Sequence, residues 1–291
     1  EKVIWALLIS ASSVCLMGII QCAVPTIVYP LRRQLWDGAF MGTFHSRLFA
    51  GGFISIISIQ IFSMILFWET KIYKKVVLWL FFILNMVALL LTMGRSYYIS
   101  TVIVLLFLMF LKGWKWFTRG SIVSAIIIVT LISFPNPVNT RIKSIIDSND
   151  ISRNARISIW KISFDLIKEN PVTGIGKGNW EKHVRERYNN LTDGLYAHPH
   201  NIWLYILAET GIIGLLFFLL FWGTVIRHLL WTAGNIDKNS FIYALNIGVA
   251  SSIGNLFIAG FFESMITTLV ILLLHSFLIG ISLSVKMDSV K

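Results

Sequence analysis

Tyr196 to Leu220 reads YAHPHNIWLYILAETGIIGLLFFLL. Two histidines flank a proline at the lip of a long apolar run, and one carboxylate, Glu209, lies inside it. From Ile202 on, the run is long enough for a helix to cross roughly 30 Å of hydrocarbon. The rest of the chain repeats this texture. Of 291 residues, 56% are hydrophobic and 13% charged, about half the charged share of a soluble domain. In lipid every backbone polar group needs an internal partner, so spans of this kind fold as helices. The sequence therefore predicts an all-α polytopic membrane protein.

Working outward from that stretch, eight spans are expected, at about 3–24, 48–68, 75–93, 97–111, 121–134, 203–226, 241–260 and 264–285. The fourth and fifth are short and extend into KGWKWFTR and FPNP, whose Trp and Phe suit an interface. The chain divides into spans one to five (1–134), a polar loop (135–202) and spans six to eight (203–291). No cleavable signal peptide is evident. Cys15 and Cys22 share the first span, about 10 Å apart along a helix and too far to bridge. They read as packing residues.

The formal net charge of +11 would suggest nucleic acid in a soluble protein. Here the basic residues lie between spans and report orientation instead. With the long loop set aside, one side holds Lys2, Lys71, Lys74, Lys75, Lys112, Lys115, Arg119, Arg227, Lys238, Lys286 and Lys291. The other holds Arg32, Arg33, Arg47 and Arg95. The richer side is expected to be cytoplasmic. The long loop then lies outside, which in a bacterium is the periplasm.

That loop has its own structure. SRNARISIWKISFDLIKENP reads as a helix that Ser152 can cap, with Ile157, Trp160, Phe164 and Ile167 forming its apolar face. Pro171 stops it. VTGIGKGN is a Gly-rich turn, and WEKHVRERY a second short helix. GIGKGNW looks phosphate-binding, but Lys177 precedes Gly178 where a P-loop needs Ser or Thr. Asn190-Leu191-Thr192 matches a glycosylation sequon, which carries little weight without a eukaryotic source.

The outer side gathers the residues that could carry chemistry. Arg95 stands at a tight turn, where it either snorkels or meets an anion. Arg153 and Arg156 share one face of the loop helix, and with Arg95 could clamp a diphosphate, because guanidinium forks match phosphate oxygens. Arginines on such a helix are also commonly just solvated. His198 and His200 offer either a proton acceptor near neutral pH or two metal ligands. They lack an obvious third ligand, and a purely interfacial role stays open. Glu209, about 13 Å deeper along a helix, reads as bracing another helix more readily than as catalytic. Gly211 and Gly214 read as sites of close helix approach.

HNIWLYILAETGIIG, with His200-Asn201, then Gly211 and Gly214, resembles the signature of the O-antigen ligase and polymerase superfamily. ARISIWKISFDLIKENPVTGIGKGNW resembles the segment that precedes it. The resemblance covers about residues 90–225. It implies a metal-independent, cofactor-free glycosyltransferase of the inner membrane working at the periplasmic face. The donor would be a glycan on undecaprenyl diphosphate and the acceptor a hydroxyl of the lipid A core, with membrane lipids around it and no nucleic acid. By the same resemblance Arg95 and Arg156 hold the diphosphate, with Arg153 competing for the second place. His200 orients or deprotonates the acceptor, and His198, Asn201 and Glu209 support. Relatives of about twelve spans imply roughly four further N-terminal spans. A polymerase and a protein O-oligosaccharyltransferase stay open as alternatives. A flippase is disfavoured because, apart from Glu209 and His275, the spans carry few ionisable groups.

Overall fold

A computed structural model describes residues 1–23, 40–134, 139–140, 151–187, 198–264 and 268–284; of residues 151–153 it describes the backbone alone. Arg32, Arg33, the side chain of Arg153 and the Asn190 sequon lie outside the described residues. Ten helices make up the described fold. They are α1 (Lys2–Ala23), α2 (Arg47–Phe67), α3 (Ile72–Leu91), α4 (Arg95–Lys112), α5 (Trp114–Ser133), α6 (Ile151–Glu169), α7 (Trp180–Arg187), α8 (Ile202–Gly234), α9 (Phe241–Ala259) and α10 (Leu269–Ser284). Helices α1 to α5, α8 and α9 are long and apolar enough to cross a membrane, and α10, at 16 residues, is a shorter apolar helix in the place of the eighth expected span. The protein is an all-helical polytopic membrane protein.

Helices α2 and α9 form the centre, with α3, α4, α8 and α10 packed around them. From Ile54 to Phe67 every residue of α2 is buried. Helix α5 packs on α4, and its Ile122, Ile126 and Val129 are exposed, as befits a helix facing lipid tails. Apolar side chains gain little from packing against one another rather than against lipid, so short polar contacts and small residues select the partners. Ser63 donates to the Ala244 carbonyl (2.7 Å), and Asn255 donates to Ser55 (3.0 Å). These two bonds tie α2 to α9. Asn85 of α3 donates to Ser12 of α1 (3.1 Å) and accepts from Cys15 (3.3 Å). Neither cysteine forms a disulfide among the described residues, and Cys15 faces a helix as expected. Gly51 and Gly52 let α4 approach α2: a Cβ on Gly51 would lie 2.7 Å from the ring of Tyr97.

Helix α8 is interrupted. Gly211 has φ 62° and ψ −167°, outside helical space. The break deprives the carbonyls of Ala208 and Glu209 of their usual donors, the amides of Ile212 and Ile213 four residues on. The Gly-rich turn supplies substitutes for both rungs. Ile175 N donates to Ala208 O and Gly176 N to Glu209 O, both at 2.9 Å. In return, Ile212 N donates to Pro171 O (2.9 Å) and Ile213 N to Val172 O (3.4 Å). Non-helical backbone within a membrane protein is tolerated only where protein satisfies it, and here the satisfying protein is the loop. The expectation of close approach at Gly211 holds, but the neighbour is the loop backbone: a Cβ there would sit 2.2 Å from Val172 O. At Gly214 a Cβ would meet Thr210 of its own helix.

The loop helices differ from expectation in two respects: Ser152 lies inside the first of them and does not cap it, and a different face is buried. Helix α6 starts at Ile151, one residue before Ser152, and ends at Glu169 ahead of Pro171. Its buried face is Ile159, Ile162, Ser163 and Leu166, whereas Ile157 and Phe164 are exposed. The helix is apolar on two sides, and the side that meets Trp180 and Val184 of α7 and Ala208 of α8 is the buried one. Ile157 instead borders a cavity. Periodicity alone cannot rank two apolar stripes on one helix.

Candidate active site

Four elements converge at one end of the bundle: the start of α4, the first turns of α6, the residues before α8, and the turn between α9 and α10. Arg95 opens α4 directly after the Thr92–Gly94 turn. Thr92 Oγ1 donates to Leu89 O (2.7 Å) and accepts from Gly94 N (3.3 Å), while Tyr98 donates to the Leu90 carbonyl. Met93 within the turn has φ 55°. His200 has φ 49°, and these two are the positive-φ residues other than glycine among those described. Left-handed backbone is uncommon for such side chains and persists where surrounding contacts over-determine it. Here it falls beside Arg95 and at His200.

The contacts that fix His200 can be named. Its amide donates to His198 Nδ1 (3.2 Å). The indole of Trp160 on α6 donates to the Pro199 carbonyl (3.0 Å). Asn201 caps α8, its Oδ1 accepting from Trp203 N (3.0 Å) and Leu204 N (3.1 Å). Asn201 is thus a helix cap. Ile202 N donates to Gly260 O (2.8 Å), tying this corner to the α9–α10 turn. Burial pulls His198 down to about 4, assisted by the nearby charges of His200 and Arg156 and opposed by Glu263. His198 is therefore neutral at physiological pH. Because its Nδ1 accepts the His200 amide, its proton resides on Nε2.

Arg95 and Arg156 meet around one cavity of about 340 Å³, lined also by Ser96, Ile99, Ile157, Trp160 and Phe262. Two guanidinium groups sit against apolar walls, and Ile99, Ile157 and Phe262 are each more than a third exposed. Such an arrangement suits an anion whose remaining body is apolar. Arg156 donates to Glu263 Oε1 at 2.7 Å, and His200 Nδ1 lies 3.5 Å from the other oxygen, Oε2. Glu263 is buried, with a side chain 2% exposed, so its charge is compensated by these partners. An imidazole whose Nδ1–H points at a carboxylate presents Nε2 as its basic nitrogen. Among the described residues no group of three or more His, Cys, Asp or Glu is arranged to hold a metal ion.

Of the residues singled out in the sequence, Arg95, Arg156, Trp160, His198 and His200 therefore come together. Glu209 does not join them. Its Oε1 accepts the Trp180 amide (3.3 Å) at the start of α7, so it braces a loop helix. Glu263 was missed. It follows a Phe-Phe pair in a short connection between two spans and reads there as an ordinary turn residue. The available signal was a carboxylate in a tight connection on the side that also carries Arg47 and Arg95.

This arrangement defines a polytopic membrane protein with a cationic, histidine-flanked cavity at one end of its helix bundle. Residues 80–219 match the family model described as O-antigen ligase, a segment that holds Arg95, Arg156 and His200 but ends before Glu263. That segment, just under half of the chain, is similar to the O-antigen ligase family. The chain is similar to the O-antigen ligase of Salmonella typhimurium (strain LT2), with 30% identity over 162 residues covering 52% of this chain. The match spans 38% of that relative's length.

Proposed function

We propose that the chain carries the transfer site of an O-antigen ligase at the periplasmic face of the inner membrane. The donor is a glycan on undecaprenyl diphosphate and the acceptor a hydroxyl of the lipid A-core oligosaccharide. The observation that carries this reading is the shared cavity of Arg95 and Arg156, with Glu263 linking Arg156 to His200. The acceptor oxygen attacks the anomeric carbon of the donor sugar. The bond from that carbon to the diphosphate oxygen breaks, and the undecaprenyl diphosphate leaves with the electron pair. His200 Nε2 takes the hydroxyl proton. Charge developing on the leaving diphosphate is stabilised by the two guanidinium groups, which are already in position. These residues need neither a metal nor a nucleotide for this chemistry.

The test uses the full-length gene in a ligase-deficient host. Lipopolysaccharide ladders are compared for wild type, His200→Ala and Arg156→Ala at matched expression. A ladder restored by wild type and lost in both variants supports the ligase. No ladder from wild type, where the host's own ligase restores one, favours transfer to another lipid-linked repeat or to protein. A full ladder from His200→Ala makes that histidine structural and removes the base from the mechanism.

A further inference from the structure

The cavity between Arg95 and Arg156 has a third polar wall, the first turn of α4. Helix α4 is 18 residues long, and its N-cap, Gly94, makes no side-chain capping bond. The partial positive charge of a helix N-terminus is thus not screened by a capping side chain here. Ser96, in the same turn, lines the cavity. It is 6% exposed, and its Oγ has no hydrogen-bond partner among the described residues. A buried hydroxyl without a partner is costly, and it persists where a ligand satisfies it. Gly51 and Gly52 of α2 seat Tyr97, the next residue, so this turn is held in place from behind.

We propose that Ser96 and the N-terminus of α4 form the second half of the diphosphate site. Ser96 Oγ donates to an oxygen of one phosphate and the helix end faces its charge, while Arg156 serves the other phosphate across the cavity. Arg95 lies at the junction. This rests on the ligase reading and adds to it a ground for selecting a diphosphate: two separate anion-binding walls match two phosphates better than one. A phospholipid phosphate shares part of this chemistry, so the test must separate the two sources.

The experiment measures binding of inorganic pyrophosphate to the purified protein in phosphatidylcholine nanodiscs. Wild type is compared with Ser96→Ala, Ser96→Thr and Arg156→Ala. Loss of one hydrogen bond to a charged ligand predicts roughly tenfold weaker binding for Ser96→Ala, with Ser96→Thr within about twofold because it keeps the hydroxyl. Thermal stability without ligand should be unchanged or higher in Ser96→Ala, since the variant removes an unsatisfied buried group; a merely structural serine would lower it. Wild-type affinity in Ser96→Ala alongside weakened binding in Arg156→Ala overturns the α4 wall and leaves the arginine clamp standing. Wild-type affinity in both variants overturns the clamp as well. Displacement of pyrophosphate by added phosphatidylglycerol overturns the selectivity for a diphosphate, and its failure to compete supports it.

Discussion

At the residue scale the site turns on one carboxylate. Glu263 contacts both the guanidinium proposed to hold the donor and the imidazole proposed to receive the proton. Glu263→Gln keeps the shape and removes the charge. It should lower kcat at least tenfold while leaving the donor KM unchanged or smaller, because Arg156 no longer has a competing anion. Single-turnover assays with varied donor read this split. His198 supplies a pH prediction. Its folded value, about 4, lies below its ordinary 6.5. Between those values the unfolded chain binds more protons than the folded one, so stability rises with pH across the window and is lost as pH falls through it. Melting temperatures from pH 7 to 4.5 should fall less steeply in His198→Gln than in wild type. Arg95 and His200 were conspicuous in the sequence beside apolar spans, whereas Arg156, on the loop helix, was separated from Arg153 only by the family resemblance. Glu263 was not legible, because its partners are 107 and 63 residues away and nothing local marks it.

At the scale of elements, the broken helix positions the loop. Gly211→Ala forces a side chain into left-handed backbone and into the Val172 carbonyl. Strain of about 1–3 kcal/mol is expected from the backbone alone, and straightening α8 to relieve it would strip the loop of its anchoring bonds. Limited proteolysis should cut near residues 171–179 faster in this variant, and ladder formation should fall with it. Gly223→Ala, in the same helix with nothing within 4 Å of the added carbon, should leave both unchanged. The break was not readable in advance. Glycines are frequent in membrane helices, and the sequence of α8 continues apolar across it. The Gly-rich turn stood out, but its partner was a backbone, and backbone leaves no signature in side-chain chemistry. Most span ends were readable to within a few residues, since most apolar runs are bounded by charge or by glycine and proline. Helix α8, however, continues to Gly234 rather than ending near 226, and α10 starts at Leu269 rather than near 264.

For the whole molecule, the residues proposed for catalysis share one end of the bundle, and the turns rich in lysine lie at the other. The proposed orientation can be checked with the two native cysteines replaced by serine. A cysteine at Lys238, between α8 and α9, should react with an impermeant thiol reagent only from the cytoplasmic side. One at Lys177 in the loop should react only from the periplasm. The reverse pattern would invert the protein and put the site on the wrong side for a lipid-linked periplasmic donor. The proposed orientation rests on lysine and arginine counts and needs no contact information, because it depends on loop charge and not on how the helices pack. The packing itself was hidden, resting on pairs such as Ser63 with Ala244 and Asn255 with Ser55 that lie 181 and 200 residues apart.

The splice at Gly211 also orders the protein's biogenesis. While α8 is entering the bilayer, the carbonyls of Ala208 and Glu209 have no partners within the helix, and those that satisfy them lie upstream at Ile175 and Gly176. The loop is therefore already synthesised when α8 needs it, and in the proposed orientation it crosses the membrane before that helix can settle. In that orientation the nascent chain completes α8 with material it has already exported. A delay in translocating residues 151–187 would leave α8 without its anchor, a point at which quality-control proteases could recognise an unfinished molecule.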